Sequence, residues 1–549
     1  MKLVWLSVNC SHSHVSLALP LLNAAAAAAD WEWREIACVS GAPAAPAATD
    51  IVSLSPDCLL ATCYLFTRET VFRICRRVKA LSPATVIVLG GPEFLGDNRA
   101  VLSREGWLDG VVRGEGEGII SRLLETVATG GDLSRLPGVC ARLSDGTIHD
   151  TGAGAPPLPF DQLPDPTSSP FFKTDRPFAQ LEVSRGCPCA CGFCTSGGTP
   201  VRAGDIGQLV VRLECLRDRG VREVRMLDRT FNASPRRCVR LLTLFRERFP
   251  DLRFHIEIHP GFLTEEIREA LCLAPPGQLH IEAGVQTSDP VPIGQMGRQA
   301  ADAAWEGMRF LATGQNWVTH VDFIAGLPGQ TLVSLLADVT AAMAEGPAEI
   351  QLETLKVLPG TRFAENCDTL GLVHAPDPPY EVLRTAAMPV EDLRQAENVS
   401  KVIDRFYNTP QLRQAFRQGV KADGVAFLTG LTRHLDAVGG LERPMALAGR
   451  LRIAHDYAVS AGLVSVAAAV EYAWLRWGLS PQHGLRPATL WKEEIPESAV
   501  AVEGEWPSNP VKIWRADIHG DVFLFVFHRH VIKQPAQAVF QVIDAPHGD

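Results

Sequence analysis

Short apolar runs alternate with helix-like stretches through the first 150 residues, a rhythm that predicts a doubly wound parallel sheet. Lys2 to Val8, Cys58 to Thr62 and Thr85 to Leu89 are the clearest strands. Ser16 to Ala29 reads as the first helix, since Pro20, Asn23 and its length disqualify it as a bilayer span. Proline clusters between Gly154 and Pro170 mark a connection crossing the surface. A second strand–helix series follows, with strands expected at Gln180–Val183, Val224–Leu227, Arg253–Ile258, Leu279–Ala283 and Thr319–Phe323. That periodicity fits a partial (β/α) barrel. Beyond about residue 365 the pattern turns helical over Glu391–Phe406, Pro410–Gln418 and Leu447–Trp477. It ends in short strands between Val511 and Val531. The expected organisation is therefore α/β, with segments 1–150, 151–175 (linker), 176–364 (barrel) and 365–549 (mainly helical, with short strands).

Composition narrows the class. The chain has 549 residues, 46% of them hydrophobic, and a net charge of −10, so it offers no basic face for nucleic acid. Fourteen cysteines without a repeating pattern, together with an opening strand in place of a secretory signal, point to a reducing cytoplasm and no membrane span. The tryptophans Trp474, Trp477, Trp491, Trp506 and Trp514 serve a core or cover a pocket.

The most informative chemistry lies in Ser184-Arg185-Gly186-Cys187-Pro188-Cys189-Ala190-Cys191-Gly192-Phe193-Cys194. Cys187, Cys191 and Cys194 form C-x-x-x-C-x-x-C, three thiolates with no evident fourth. Such a set holds a [4Fe–4S] cluster with one iron open to a non-protein ligand. Structural zinc or a disulfide would also use close cysteines, but no second C-x-x-C completes a zinc pattern. Cys189 breaks the spacing and reads as a passenger.

The cysteine run resembles the signature of the radical S-adenosylmethionine (SAM) enzymes. Glu282-Ala283-Gly284-Val285-Gln286-Thr287, Asp322-Phe323-Ile324-Ala325-Gly326-Leu327-Pro328-Gly329-Gln330-Thr331 and Leu355-Lys356-Val357-Leu358-Pro359-Gly360-Thr361 resemble that family's fourth-, fifth- and sixth-strand motifs, in the expected order. Leu-Gly-Gly-Pro-Glu at 89–93 and Val-Arg-Gly-Glu-Gly-Glu at 112–117, ahead of the cysteines, resemble its cobalamin-binding subclass. Leu227–Asn232, Pro378–Leu383 and Arg405–Asn408 are similar to a less characterised branch of that subclass.

The resemblance implies a Rossmann-like N-terminal domain holding cobalamin against a radical SAM barrel. It further implies SAM chelated to the open iron and cleaved to a 5′-deoxyadenosyl radical. Cobalamin contacts are expected from His14, Gly90, Gly91, Gly114 and Glu115; His12 lies in the same loop, and both histidines also fit as ordinary polar loop residues. The D-x-H-x-x-G motif of histidine-ligated corrin domains is absent. SAM contacts are expected from Asp228, Glu257, Glu282, Gln286 and Gly326, with His259 nearby; inward acids also suit a structural network, and Gly326 a tight turn. No catalytic side chain is assigned.

The leading expectation is a cobalamin-dependent methyltransferase acting on an unactivated carbon of a small metabolite or peptide, with flavodoxin or ferredoxin as electron donor. Rivals are a cobalamin-assisted rearrangement or cyclisation, a methylthiotransferase and a non-catalytic SAM- or corrin-binding protein. A methylthiotransferase needs a second cluster drawn from Cys10, Cys38, Cys58, Cys63 and Cys75.

Overall fold

The structure is a computed structural model. It describes residues 1–11, 14–26, 31–152, 154, 156–480, 484–485, 488–490, 496, 498–504, 512–527 and 535–542. His12, Trp491 and Trp506 lie outside the described residues, as do the ends of the Ser16–Ala29 and Val511–Val531 segments.

Seven strands form the first sheet: β1 (Lys2–Asn9), β2 (Glu32–Val39), β3 (Cys58–Thr62), β4 (Val86–Gly90), β5 (Gly110–Val112), β6 (Val139–Arg142) and β7 (Ile148–Asp150), in spatial order β2-β1-β3-β4-β5-β6-β7. Pairing is parallel through β5 and antiparallel for β6 and β7. Each face of the sheet carries its own apolar core, one built on Leu6, Leu59 and Phe72 and the other on Trp5, Leu60 and Leu123. The central strands are therefore apolar on both sides, as a doubly wound sheet requires. The expected parallel sheet is present. β2 escaped the sequence reading because it is an edge strand with alternating exposure.

After the prolines come β8 (Ala179–Leu181) and a two-residue antiparallel ladder of β9 (Ser184–Arg185) with β10 (Arg202–Ala203). Five further strands, β11 (Glu223–Met226), β12 (Arg253–Ile258), β13 (Leu279–Gln286), β14 (Trp317–Ala325) and β15 (Glu349–Thr354), complete a six-stranded parallel sheet ordered β15-β14-β13-β12-β11-β8. Leu279, Ile281 and Ala283 of β13 pack outward onto Leu241, Phe245 and Ile267 of the flanking helices. The alternate residues His280, Glu282, Gly284 and Gln286 consequently face the interior.

The C-terminal segment follows the sequence reading with corrections at element ends. The helix expected at Pro410–Gln418 runs from Pro410 to Ala437 with a break at Gly424, and Leu447–Trp477 divides into helices Leu447–Ser460 and Val464–Arg476. Five antiparallel strands lie beyond them. Trp474 is buried and donates to the Ser480 carbonyl at 3.0 Å, a core role. This region shares one apolar core with β14 and β15 through Phe363, Leu393, Phe406 and Phe416.

Two C-terminal motifs have definite work. Asn408 accepts from Ile350 N and donates to Ile350 O, both at 2.9 Å, so its amide caps the free edge of β15 as a further strand would. Tyr380 donates to Glu93, which also meets Arg68 at 2.9 Å, tying the Leu-Gly-Gly-Pro-Glu loop to the Pro-Pro-Tyr turn. Glu93 is buried, and burial raises its pKa against the pull of Tyr380 and Arg68. Removing the phenol should therefore be costly. Tyr380→Phe is expected to destabilise the full-length chain by roughly 1–3 kcal/mol in urea unfolding, as for a buried acceptor that loses its donor.

Candidate active site

Carboxyl ends of both parallel sheets face one cavity of about 780 Å³. The first sheet contributes Asn9, His14, Gly90, Gly91 and the 114–117 loop; the barrel contributes Glu182, Arg185, Thr195 and Arg229. Ligand sites in parallel α/β sheets lie at this end, where loops fan apart. Gly90 and Gly114 line the cavity, and a Cβ at either position would approach other protein atoms no closer than 3.9 Å, leaving space for a flat ligand. Gly91 differs: at φ +104° its Cβ would lie 2.7 Å from the Cys63 carbonyl, so glycine there lets the turn pack onto β3. His14 lines the wall, hydrogen-bonded to Ser11 at 2.7 Å and edge-on to Phe178.

Arg185 joins the two halves. Its guanidinium meets Glu115 at 2.9 Å, Glu117 at 2.8 Å and Glu182 at 2.8 Å, and Arg202 also pairs with Glu115. Burial alone would lower the Arg185 pKa, but Glu182 and Glu117 hold it above the ordinary value. Glu115, an expected cobalamin contact, is thus largely engaged at this seam.

Two residues beyond Arg185, the cysteine loop is held at several points. Gly186, at φ +97°, runs so close to the Pro200 carbonyl that no Cβ would fit. Cys187 N donates to Thr199 O at 3.1 Å, Gly192 N to Met296 O at 2.8 Å, and Phe363 N to Gly192 O at 2.9 Å. Cys187, Cys189 and Cys191 are buried against Phe193, Cys194 and Phe262. Arg298 reaches Cys191 Sγ at 3.7 Å, and Ser196 N donates to Cys194 Sγ at 3.4 Å. Closely spaced soft thiols with N–H and guanidinium donors, in an apolar cup, fit an iron–sulfur cluster.

Asp228, expected as a SAM contact, has its carboxylate engaged by the chain just ahead of the cysteines. It is 1% exposed and accepts from Val183 N at 3.0 Å and from Ser184 Oγ, bracing the chain just ahead of the cysteines. Gly326 is likewise turned inward, its N–H bound to Gln330 Oε1 at 2.9 Å and its α-carbon near Leu393. Glu257 and Glu282 lie on the barrel interior, Glu257 3.9 Å from Arg229 and Glu282 3.1 Å from His255. Gln286 sits at a bulge ending β13, with φ +72°.

Around the cysteine loop, Gln286 Oε1, Arg298 Nε and His259 Nε2 are buried without a hydrogen-bond partner among the described residues, and Asp322 Oδ1 lies 3.2 Å from His320 Nε2. Arg298 also donates to the Gly284 carbonyl, and His259 stacks on Phe262 at 4.3 Å. Burial and Arg298 lower the His259 pKa to about 3, keeping the ring neutral. Asp322 is pushed well above the carboxylate range by burial and by Glu282 and Glu257. Glu282 stays low because its His255 hydrogen bond and His320 outweigh burial. Unsatisfied polar atoms at such density fit a zwitterionic ligand such as SAM. Arg298 was missed in the sequence, where only its position after the fourth strand signals it.

Of the cysteines considered for a second cluster, Cys63 and Cys75 share one core of the first sheet and Cys58 lies in the other. Cys58, Cys63 and Cys75 are buried in apolar cores and burial raises all three, so they remain thiols.

The Radical SAM superfamily profile matches residues 181–340, and a profile described as a protein of unknown function (DUF4080) matches 368–427. An uncharacterised methyltransferase of Pyrococcus horikoshii is 23% identical over 57% of this chain and 70% of its own length. The cobalamin-dependent radical SAM methyltransferase TokK of Streptomyces tokunonensis is 28% identical over 33% of this chain, and the match spans only 29% of TokK. The solved structure of OxsB, a cobalamin-dependent SAM radical enzyme with aqua-cobalamin and SAM bound, shares the fold at a TM-score of 0.61 and 13% identity, over 85% of this chain and 78% of that one. Residues 181–340 of the chain therefore carry a radical SAM domain. The fold, a doubly wound sheet ahead of a barrel, is the one this chain shares with the OxsB structure.

Burial lifts the Asp228 pKa to about 7, against about 3.9 for a free aspartate. The folded chain then holds a proton that the unfolded chain releases, so this carboxyl's contribution to stability falls as pH rises from about 4 to 7. Asp228→Asn should lose less stability than the parent between pH 5 and 7, read from urea midpoints at each pH.

Proposed function

We propose that the protein is a cobalamin-dependent radical SAM methyltransferase that methylates an unactivated carbon of a small metabolite or peptide. One observation carries the reading: Gly186, Thr195 and Ser196, which flank the cysteines, line one cavity with Gly90, Gly91 and Gly114 of the first sheet across the Arg185 seam. A cluster and a corrin held there would be close enough to serve one substrate. The methyltransferase names of the relatives from Pyrococcus horikoshii and Streptomyces tokunonensis support the same reading.

When bound, the [4Fe–4S] cluster, SAM and cobalamin supply one-electron cleavage and methyl carriage. Cys187, Cys191 and Cys194 hold the cluster as thiolates. Arg298 Nε and Gln286 Oε1, left without partners among the described residues, would hold the carboxylate and amino groups of SAM. Asp228 fixes the loop through Val183 and Ser184. Gly90, Gly114 and His14 line the corrin side, and the apolar part of the wall, including Leu60, Val88 and Ile120, keeps water away. Among the described residues, no helix is long and apolar enough to cross a membrane. A reductant is required, and a flavodoxin or ferredoxin in the cytoplasm fits that need.

Anaerobic reconstitution with iron, sulfide and hydroxocobalamin should load about four iron atoms per chain and retain corrin absorbance through gel filtration. Cys191→Ala should lose the cluster while still binding corrin. A chain that keeps its cluster but retains no corrin would overturn methyl transfer. A product heavier than substrate by one carbon separates methylation from rearrangement.

A further inference from the structure

A second donor set lies inside the barrel, away from the cysteine loop. His280 stands on β13, His320 on β14 and Glu349 on β15, three neighbouring parallel strands. The ladder sets His320 beside Glu349 on one side and Glu282 on the other, and His280 is two residues before Glu282 on the same face. Among the described residues, one ligand atom from each of His280, His320 and Glu349 lies within 4.8 Å of the other two. Gln286, near the cysteines, is six residues along β13 from His280, about 20 Å at the rise of an extended strand.

The His280 imidazole is in a state suited to a metal. His280 Nε2 is shielded from solvent and has no hydrogen-bond partner, an arrangement that costs free energy unless something accepts or ligates there. Burial, with His255 and His320 nearby, lowers the His280 pKa, leaving the neutral ring that metals bind. A carboxylate stands beside His320, since Asp322 lies 3.2 Å from its Nε2. Carboxylates in that position orient ligating imidazoles. His255 is already committed to Glu282 at 3.1 Å, which leaves His280, His320 and Glu349 as the set with capacity to spare.

We infer that His280, His320 and Glu349 bind one divalent transition-metal ion with coordination positions left open, at a site separate from the iron–sulfur cluster. Two imidazoles and one carboxylate favour Zn²⁺, Fe²⁺ or Co²⁺ over Mg²⁺ and Ca²⁺, which prefer all-oxygen ligation. The site does not depend on the methyltransferase reading.

The test uses the full-length chain with its cluster reconstituted, then freed of excess metal. Titration with Zn²⁺ alone, followed calorimetrically, should show one equivalent bound, and Co²⁺ alone should give visible ligand-field bands that Zn²⁺ abolishes. His280→Gln and His320→Gln should each weaken Zn²⁺ binding by more than about tenfold while leaving the cluster's absorbance unchanged. Glu349→Gln, which keeps side-chain volume, reads the same loss independently, and His149→Gln on the first sheet serves as the control. Absence of Zn²⁺ uptake by the parent, or uptake equally tight in all three ligand variants, would overturn the assignment.

Discussion

Arg185 is the hinge of the arrangement because one guanidinium answers three carboxylates from two sheets. Glu115 and Glu117 arrive on the loop after β5, and Glu182 on the loop after β8. Left without their partner, these acids would repel one another in a half-buried seam, so the arginine makes the close approach of the two carboxyl ends favourable. Arg185 also directly precedes Gly186 and Cys187. The contact that joins the sheets therefore sets where the cysteine loop begins, and the shared cavity follows from it.

Inside the barrel, polarity is distributed so that similar groups stay in different states. Asp322 and Glu282 are close, yet burial and neighbouring acids push the Asp322 pKa well above the carboxylate range while the His255 hydrogen bond and His320 hold that of Glu282 below it. Environments that push two carboxyls apart in this way create a donor and an acceptor from the same chemistry. Among the described residues, the polar atoms left unpaired near the cysteines belong to Gln286, Arg298 and His259. Their donors and acceptors are set in place before any ligand arrives, which reduces the reorganisation that binding would otherwise require.

The C-terminal region acts on the site from outside. Asn408 closes the edge of β15, Phe363 receives the cysteine loop through Gly192, and Tyr380 reaches across to Glu93 beside the glycine turn of the first sheet. Motifs far apart in the chain thus serve one purpose: they hold the two halves of the cavity at a constant separation. That explains why the Pro-Pro-Tyr and Arg-Phe-Tyr-Asn segments accompany the cysteine signature in one polypeptide.

The strand–helix periodicity of both α/β segments and the cysteine loop were legible in the sequence because each rests on local pattern: apolar runs, prolines between them, and thiols at fixed spacing. Individual site residues were less legible. Asp228 and Gly326 occupy the anticipated strand ends, yet their polar groups are taken by Val183, Ser184 and Gln330, a matter of which way a side chain or amide turns. Glu115 had the right loop, but its Arg185 partner lies 70 residues away. Arg298 and the His280–His320–Glu349 set carry no motif at all. The chain by itself determined its periodicities and hence its layers; only the tertiary structure decided which polar atoms were satisfied and which were left over. Periodicity is a property of neighbours in sequence, whereas hydrogen-bond satisfaction depends on groups that meet only when the strands align.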